Sequence, residues 1–493
     1  MKIGNLSKWL FLLPALITGF GWVPIGQATA QTFTTLHNFT LPNGIYTTTN
    51  SDGWAPLGGL ISSGSTLYGT TEYGGSQDGG TLYAINTDGT GFTNLYSFAF
   101  GAGPYSFDWG AEPVSTLVLS GNILYGTTSY GGTNGTGSVF AVHTNGTGFT
   151  TLHNFAPTSV FNPTNSDGVF PPPPGLILSG TALYGTTYYG GSSGVGTVFA
   201  LNTNGTGFTD LYVFAGGNDG AYPTAVLLSG NTLYGTAGGG GINGAGTVFA
   251  LGINHTGFTT LHSFADSDGA GPRGGLILSG NTLYGTTEFG GGAEAGTVFA
   301  INTDGTGFTN LHIFAAGSGI FHGFTNSDGG GPWSTLILSG NTLYGTTQNG
   351  GTNGSGTVFA VNTDGRDFTT LYSFTATSGP SSANSDGAIP EAGLILSGDA
   401  LYGTATSGGV WGGGTVFSLS FGSVSVPQLT IVPSGPYVIL TWPTNTIGFT
   451  LQSTTNLVSP VWATNSRTPV FVNGQNVVTN SITGKQQFFR LSQ

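Results

Sequence analysis

Residues 282–287 read Thr-Leu-Tyr-Gly-Thr-Thr, and the core of this stretch, Leu-Tyr-Gly-Thr, occurs seven times in the 493-residue chain. The copies lie 50 to 60 residues apart, a period typical of one supersecondary unit repeated around or along an axis. The tyrosines that mark the copies are Tyr68, Tyr125, Tyr184, Tyr234, Tyr284, Tyr344 and Tyr402.

The copy around Tyr284 defines the unit. It contains four short runs rich in β-branched and aromatic residues, and each run is bounded by Gly, Asn, Asp or Ser. Such runs are too short for helices, and their Ser-Gly-Asn and Asp-Gly links are typical of tight hairpins. The unit therefore predicts four antiparallel strands in a meander, at residues 276–278, 282–287, 297–301 and 308–314.

The ends of the repeat indicate how the units are arranged. Adjacent apolar residues such as Val298 and Phe299 predict sheets covered on both faces, as in a β-propeller. The fourth-strand pattern Phe-Thr-x-Leu first appears at Phe33, before any other repeat element, whereas the last repeat ends at Leu419 without one. We therefore expect an all-β, seven-bladed β-propeller of four-stranded antiparallel blades, closed by the N-terminal strand at residues 33–39. Closure removes the open sheet edges.

The repeat also resembles a known family. The elements Leu-Tyr-Gly-Thr-Thr, Gly-Gly, Gly-Thr-Val-Phe and Phe-Thr-x-Leu between residues 276 and 314 are similar to the tandem repeat of secreted Gloeobacter/Verrucomicrobia-type bacterial proteins. The resemblance covers about residues 33–420. It implies an exported bacterial protein, in some members with a C-terminal sorting or anchoring segment, and it implies no known activity.

The segments outside the repeat suggest export and a second domain. Residues 1–30 are predicted to be a signal peptide, because two lysines precede an apolar stretch that ends in Ala28-Thr29-Ala30. Residues 31–423 form the predicted propeller and residues 424–427 a linker. Residues 428–493 contain six short strand-like runs and predict a small β-sandwich, which resembles a fibronectin-type-III-like module with Trp442 as its core aromatic residue.

Composition excludes several classes of partner. The formal net charge is −13, and beyond residue 30 the chain has only Lys485 and four arginines against 20 acidic residues. Nucleic acid and anionic membranes are poor partners for this balance. The chain has no cysteine, so it has neither disulfides nor thiol chemistry. No second long apolar stretch follows the first, and we expect a secreted or cell-surface monomer without a transmembrane segment in the mature chain.

Each link between repeats carries an aspartate shortly before a proline. A ring of seven carboxylates suggests calcium binding or acid–base chemistry. The alternative is a turn that directs the chain into the next strand, and we favour it because the residue recurs in every unit. We expect no metal or other cofactor, and calcium is the alternative at these aspartates: Asp52, Asp108, Asp167, Asp219, Asp268, Asp328 and Asp386.

Aromatic residues are the candidate ligand contacts. They lie in the long, variable links, which are expected on one face of the propeller. Rings at recurring positions, such as Tyr73, Tyr130, Tyr189 and Phe289, are better explained by packing between blades. Rings that break the repeat are the better candidates for stacking on sugars. The candidate ligand-binding residues are Trp54, Tyr105, Trp109, Tyr222, Trp333 and Trp411.

The sequence favours binding over catalysis. No metal-ligand pair, phosphate loop or nucleophile elbow is present. Four histidines share one fourth-strand position with three tyrosines, which indicates a half-buried structural site. The leading hypothesis is a secreted, non-catalytic propeller that binds a glycan or surface protein through its long-loop face. The alternatives are a structural matrix protein and an extracellular polysaccharide hydrolase or lyase that uses the asymmetric carboxylates Glu72, Glu112, Glu288, Glu294 and Glu391.

Overall fold

The repeat region forms seven four-stranded antiparallel sheets in the computed structural model. This confirms the all-β prediction and agrees with the architecture of a seven-bladed β-propeller. The predicted signal peptide, Tyr105, Asp108, Trp109 and the predicted linker lie outside the residues that the structure describes. Those residues are 31–42, 49–99, 111–158, 163–318, 324–379, 381–421, 429–434, 436–443, 450–455, 462–464, 469–472, 475–481 and 487–492.

The described residues of the repeat form 28 strands. Sheets 1 to 6 are β2–β5, β6–β9, β10–β13, β14–β17, β18–β21 and β22–β25, and sheet 7 has the order β1-β28-β27-β26. The strands are β1 Thr32–Asn38, β2 Ile61–Ser63, β3 Thr66–Thr71, β4 Asp78–Asn86, β5 Thr93–Ala99, β6 Val118–Ser120, β7 Ile123–Thr128, β8 Ser138–His143, β9 Thr150–Asn154, β10 Ile177–Ser179, β11 Ala182–Thr187, β12 Thr197–Asn202, β13 Thr209–Val213, β14 Ala221–Ser229, β15 Thr232–Gly239, β16 Thr247–Gly252, β17 Thr259–Ser263, β18 Ile277–Ser279, β19 Thr282–Thr287, β20 Thr297–Asn302, β21 Thr309–Ile313, β22 Ile337–Ser339, β23 Thr342–Thr347, β24 Thr357–Asn362, β25 Thr369–Ser373, β26 Ile395–Ser397, β27 Ala400–Ala405 and β28 Thr415–Ser420.

The N-terminal strand β1 belongs to the last sheet. It pairs antiparallel with β28, with Phe33 opposite Leu419 and His37 opposite Val416. Just after β1, Phe39 is fully buried with Leu60 of the segment that enters sheet 1. The N-terminal strand therefore completes sheet 7 and contacts sheet 1.

The glycine of Leu-Tyr-Gly-Thr makes room for a ring. In sheet 5, Gly285 pairs with Phe299 across β19 and β20. A Cβ atom on Gly285 would lie 2.6 Å from Cζ of Phe299, which is too close for any other residue. Phe299 is fully buried, as are Leu283 and Val298 on the neighbouring positions. The two central strands are therefore covered on both faces, as the adjacent apolar residues predicted.

Rings from the fourth strands connect neighbouring sheets. His312 in β21 stacks on Phe368 of sheet 6, with 3.6 Å between ring centroids and 6° between ring planes. Burial of such offset aromatic pairs stabilises a fold beyond the area that they remove from water. The same stack joins every sheet to the next, including sheet 7 to sheet 1. The other pairs are His37–Phe92, Tyr96–Phe149, His153–Phe208, Tyr212–Phe258, His262–Phe308 and Phe33–Tyr372.

The link aspartates hold these rings in place. Asp328 accepts a hydrogen bond from Nε2 of His312 at 3.0 Å and another from the backbone N–H of Ala315. In two sheets a tyrosine takes the place of the histidine. Tyr212 and Tyr372 donate hydrogen bonds from their hydroxyl groups to Asp219 and Asp386. In the described residues, six links use their aspartate in this way. Each of these six carboxylates also accepts a hydrogen bond from a backbone N–H at the start of its own link. The remaining pairs are His37–Asp52, His153–Asp167 and His262–Asp268.

The C-terminal region forms two separate sheets. One has the order β29-β30-β34-β33 and the other β32-β31-β35. Leu440 and Trp442 of the first sheet form a buried cluster with Leu451 of the second, and Trp442 is 2% exposed. The strands are β29 Thr430–Ser434, β30 Tyr437–Pro443, β31 Thr450–Thr454, β32 Ala463–Thr464, β33 Val470–Val472, β34 Gln475–Ser481 and β35 Phe488–Ser492.

The interchange of histidine and tyrosine leads to a stability prediction. His312→Leu removes the donor to buried Asp328 and the polar ring, and it should lower the free energy of unfolding by about 2 kcal/mol. His312→Tyr keeps both a ring and a donor, and it should stay within about 1 kcal/mol of the parent. Denaturant unfolding followed by tryptophan fluorescence measures both changes. Equal losses in the two variants would contradict the proposed junction role.

Candidate functional site

A cavity lies where the innermost segments of the seven sheets meet. Its volume is about 260 Å³, and each of the seven sheets or the segment leading into it contributes to its lining. Apolar side chains such as Leu60, Ile177 and Leu276 form much of the wall, and Trp333 and Glu391 also line it. We call this space the axial cavity.

Two positions recur in the seven repeats, and residues at the first of them, Leu57, Trp333 and Glu391, line the axial cavity. The link before each sheet is hydrogen-bonded to the segment after its second strand, as between Ala270 and Phe289, so these segments share one face. The first position directly follows the repeat proline and the second directly follows Leu-Tyr-Gly-Thr-Thr or its Ala variant. The residues at the first are Leu57, Val114, Pro172, Thr224, Arg273, Trp333 and Glu391, and those at the second are Glu72, Ser129, Tyr188, Gly238, Glu288, Gln348 and Thr406.

The residue before each repeat proline has a left-handed backbone. Its φ is 48° at Glu112, 57° at Phe170 and 61° at Tyr222. Residues with a Cβ rarely adopt this region, and such strain is concentrated at functional sites in proteins. In two links the position is glycine, Gly271 and Gly331, with the same sign of φ.

Arg273 joins three sheets through one polar network. Its Nε donates to Oε2 of Glu288 at 2.6 Å and its Nη1 donates to the Tyr188 hydroxyl at 2.9 Å. Gln348 donates its Nε2 to the other oxygen of Glu288 at 3.2 Å. The guanidinium also lies 5.2 Å from the ring centroid of Trp333, a cation–π distance. The residues come from sheets 3, 5 and 6 and their links, up to 160 positions apart in the chain.

Three further carboxyl groups lie on this face, buried at Glu112 and half-buried at Glu72 and Glu391. Burial, together with a smaller contribution from the neighbouring Glu72 carboxylate, raises the pKa of Glu112 to about 8. Burial also raises the pKa of Glu391 to about 8, with additional contributions from Glu72 and Glu288. Burial raises the pKa of Glu72, partly offset by its hydrogen bond with Tyr73. Glu112 and Glu391 therefore hold protons at neutral pH.

Aromatic rings form a continuous chain on the same face. Tyr130 contacts Phe170 at 4.7 Å between centroids, and Phe170 contacts Tyr189 at 6.1 Å. Tyr222 then contacts Tyr189 at 5.3 Å and stacks on Tyr188 at 5.2 Å. Since Tyr188 also binds the guanidinium described above, the aromatic chain runs directly into the polar network.

The predicted site residues divide into four groups. Tyr222 and Trp333 lie in the aromatic and polar network. Trp54 is half-buried on Tyr73, with 4.5 Å between their rings, and its indole N–H is buried without a partner. Trp411 is 57% exposed in the link between β27 and β28. Tyr105 and Trp109 fall outside the described residues.

The predicted carboxylates divide into two groups. Glu391 lines the axial cavity, Glu288 binds Arg273, and Glu72 and Glu112 are electrostatically coupled to each other, whereas Glu294 is exposed in the link between β19 and β20. Sequence reasoning missed Arg273 and Gln348. Most residues at the two recurring positions are uncharged, and the few charged ones are the exceptions. A comparison of these positions across the repeats could therefore have identified the site.

Within the part of the chain that the structure describes, no three His, Asp or Glu residues are placed to hold a metal ion. The described residues also include no helix long and apolar enough to span a membrane.

Comparison with known proteins identifies the family. The Gloeobacter/Verrucomicrobia repeat matches residues 26–170, 158–321 and 318–431. The chain belongs to this family. No curated protein sequence matches the chain. As a Gloeobacter/Verrucomicrobia repeat protein, it carries two or three Leu-Tyr-Gly-Thr units in each matched segment.

Solved structures match the chain at low identity and with TM-scores below 0.5. An oligogalacturonate lyase from Vibrio parahaemolyticus is 8% identical over 79% of this chain and 93% of its own, with a TM-score of 0.46. BamB from Moraxella catarrhalis is 14% identical over 74% and 85%, with a TM-score of 0.39. A putative 6-phosphogluconolactonase from Bacteroides uniformis is 15% identical over 89% and 100%, with a TM-score of 0.39. At this distance none of their activities is carried over to this Gloeobacter/Verrucomicrobia repeat protein.

The raised pKa of Glu112 leads to a prediction about pH. Its folded-state pKa of about 8 lies above the ordinary value of 4.5, so the folded protein keeps a proton that the unfolded chain releases between these values. Stability therefore falls as pH rises through this window. Glu112→Gln should raise the free energy of unfolding at pH 8.5 by on the order of 2 kcal/mol and leave it unchanged near pH 4.

Thermal unfolding over a range of roughly pH 4 to 9, which spans both pKa values, checks this expectation. Glu294→Gln, on an exposed side chain, is the matched control and should keep the parent profile. A parental pH profile in the Glu112 variant would show that the buried carboxyl group is ionised at neutral pH.

Proposed function

We propose that this protein is a secreted, non-catalytic β-propeller that binds an extracellular glycan. The glycan would lie on the face that carries the aromatic chain and the polar network of Arg273. The observation that supports this most strongly is the direct contact between the two, through Tyr188. Apolar ring faces next to a few convergent polar groups are the usual composition of small-ligand sites.

The chemistry of the face suits a neutral sugar chain. Aromatic rings stack on the apolar faces of pyranose rings, and polar groups beside them bond the sugar hydroxyls. Protonated Glu112 and Glu391 both donate and accept hydrogen bonds without bringing a net charge. The positive charge of Arg273 is balanced by Glu288 at 2.6 Å. The face therefore carries little net charge, which suits an uncharged ligand with many hydroxyl groups.

The proposal includes export and a closed ring. The lysines, apolar stretch and small-residue site of residues 1–30 support secretion. Pairing of β1 with β28 and the stack of His37 on Phe92 support closure of sheet 7 against sheet 1. A closed disc would hold the groups around the axial cavity at fixed separations. For residues 428–493 we propose a fibronectin-III-like sandwich that acts as a spacer or second contact, supported by the buried cluster around Trp442.

Closure is testable by cross-linking, because the chain contains no cysteine. Thr32 and Ser420 are paired across β1 and β28. Thr32→Cys with Ser420→Cys should oxidise to an intramolecular disulfide, detected by a mobility shift on non-reducing gels. Thr32→Cys with Ser279→Cys, an exposed serine of sheet 5, is the matched control and should stay reduced. Equal cross-linking in both pairs, or none in either, would count against closure.

A second candidate function is cleavage of a polysaccharide by hydrolysis or elimination. It is favoured by one observation: the carboxyl groups of Glu112 and Glu72 lie near enough for their charges to interact, and paired carboxyl groups are the usual acid and base of glycoside hydrolysis. Turnover of polysaccharides that is lost in Glu112→Gln would establish it. A chain with no soluble ligand and no turnover would instead fit a structural matrix protein.

Glycan binding leads to a further mutational prediction. Tyr222→Ala removes the ring that joins Tyr188 and Tyr189, and it should weaken binding to polysaccharides by about tenfold. Trp411→Ala removes an exposed ring that lies outside this network, and it should leave binding unchanged. Glycan arrays and polysaccharide pull-downs measure both. Equal losses would move the site to the Trp411 link, and capture of surface protein without glycan would replace the proposed ligand.

A further inference from the structure

We propose that Asp210 makes the glycan face, the surface with the aromatic chain and the network of Arg273, sensitive to pH. While protonated, the carboxyl group of Asp210 donates a hydrogen bond to the carbonyl of Ser166 and holds the link that enters sheet 3. Ionisation removes this bond and weakens the hold on the link. The inference rests on the proposed function only for its effect on binding, because the change in the link is measurable without a ligand.

The fourth strand of a sheet is bonded to the link that enters the same sheet. The donor is the variable residue of Phe-Thr-x-Leu, and the acceptor is the carbonyl of the residue just before the link aspartate. Asn94 donates its Nδ2 to the carbonyl of Ser51 in this way at 3.0 Å. Threonine hydroxyls make the same bond at 3.1 to 3.2 Å in three other sheets, in the pairs Thr35–Ser385, Thr260–Asn218 and Thr370–Ser327.

Asp210 occupies this donor position in sheet 3, where the equivalent acceptor is the carbonyl of Ser166. Asp210 lies opposite Phe199 across β13 and β12. Thr370 lies opposite Phe359 in sheet 6, in the same register. An ionised carboxylate only accepts hydrogen bonds, so it cannot make the bond that threonine and asparagine make here. A protonated carboxyl group can, because it has one O–H donor.

The buried oxygen of Asp210 agrees with this arrangement. Its Oδ1 is buried and has no hydrogen-bond partner among the described residues, and the same is true of Oδ1 in Asn94 and Asn310 at the equivalent position. In Asn94 the bond to the link comes from the amide nitrogen. We therefore assign the proton to Oδ2 of Asp210, which takes the place of that nitrogen.

Burial and a neighbouring carboxylate both favour the protonated form. Burial, with a smaller contribution from Asp167, raises the pKa of Asp210 to about 7, partly offset by a hydrogen bond from Thr197. Nε2 of His153 is bonded to Asp167 at 2.9 Å. Of the described residues, Asp167 and, through it, His153 are the titratable groups that face Asp210, whereas β12 presents Phe199 and Thr197. The carboxyl group therefore keeps its proton up to about neutral pH.

The same link carries part of the glycan face. Phe170 follows shortly after Ser166 and is a member of the aromatic chain. Its carbonyl accepts a hydrogen bond from the backbone N–H of Tyr188 at 3.0 Å. Val169 and Tyr189 exchange two backbone hydrogen bonds beside it. A displacement of the link at Ser166 is therefore passed to Tyr188 and Tyr189 by direct contacts.

The effect of pH on the link has a definite direction. Opening of the link exposes Asp210 to water, where an aspartate titrates near 3.8, so an open link releases the proton above that pH. Stability of the closed link should therefore fall as pH rises from about 4 to about 7 and stay constant above this window. Glycan affinity should fall in the same direction, because only molecules with a closed link present the complete face.

Hydrogen–deuterium exchange of the full chain without ligand tests the inference. Amide protection in residues 163–170, corrected for the intrinsic pH dependence of exchange, should fall at least about tenfold between roughly pH 5 and pH 7. Protection of residues 324–331, in the link held by Thr370, is the internal control and should not change. Asp210→Asn, which copies Asn94, should abolish the change in residues 163–170. A link that does not respond to pH in the parent, or responds equally in Asp210→Asn, would overturn the proposal.

The reciprocal variant moves the effect to another sheet. Asn94→Asp should give residues 49–54 the pH dependence that the parent shows at residues 163–170. Circular dichroism establishes that this variant and Asp210→Asn fold. Unchanged exchange of residues 49–54 in a folded Asn94→Asp variant would also count against the proposal.

Glycan binding separates this inference from the proposed function. A glycan that the parent binds on an array should bind at least about threefold more weakly at about pH 7.5 than at about pH 5.5, and Asp210→Asn should bind it equally at both. Binding that ignores pH while the link responds to it would overturn the regulatory role. Absence of glycan binding at every pH would overturn the proposed function, and the exchange measurements would still decide whether Asp210 holds the link.

Discussion

Fourth-strand rings hold the seven sheets in sequence, and the rest of the structure depends on this contact. Most of these rings stack on a phenylalanine of the next sheet and donate a hydrogen bond to the aspartate of the link that leads there. His312, Phe368 and Asp328 show the arrangement in full. One side chain thus sets both the spacing between sheets and the path of the connecting chain. Because the link then continues to the repeat proline, the same contact determines where the residues around the axial cavity lie.

The regular features of the fold were predictable from the sequence because they recur. Breakers delimit every strand, and the seven copies of Leu-Tyr-Gly-Thr identify equivalent positions. The unmatched segment at Phe33 predicted the strand that pairs with β28. The interchange of histidine and tyrosine predicted a half-buried ring, but not its aspartate partner. The ring residue and the aspartate were each identifiable in the sequence. Only the folded chain shows that the fourth-strand ring bonds the aspartate of the link that follows it.

The candidate site was less predictable because it depends on differences between repeats. Arg273 and Tyr188 are 85 positions apart and belong to sheets that are not consecutive. Only the arrangement of the sheets brings such positions together. The carboxylates were identifiable as a set, yet only the folded chain shows their burial and their effect on one another. Glu294 has the same side chain but is exposed.

The residue before each repeat proline has a left-handed backbone, and this backbone gives the link the same path whichever side chain the residue carries. Glycine holds the same backbone at Gly271 and Gly331, so the path requires no side chain there. Glycine in place of Glu112, Phe170 or Tyr222 would relieve a strain of about 1 kcal/mol, which is roughly what its greater freedom in the unfolded chain costs. The residue at this position therefore has little effect on the free energy of unfolding through the backbone. Each repeat can therefore carry a different side chain at this position while its link keeps the same path. The same fold can thus present different surfaces.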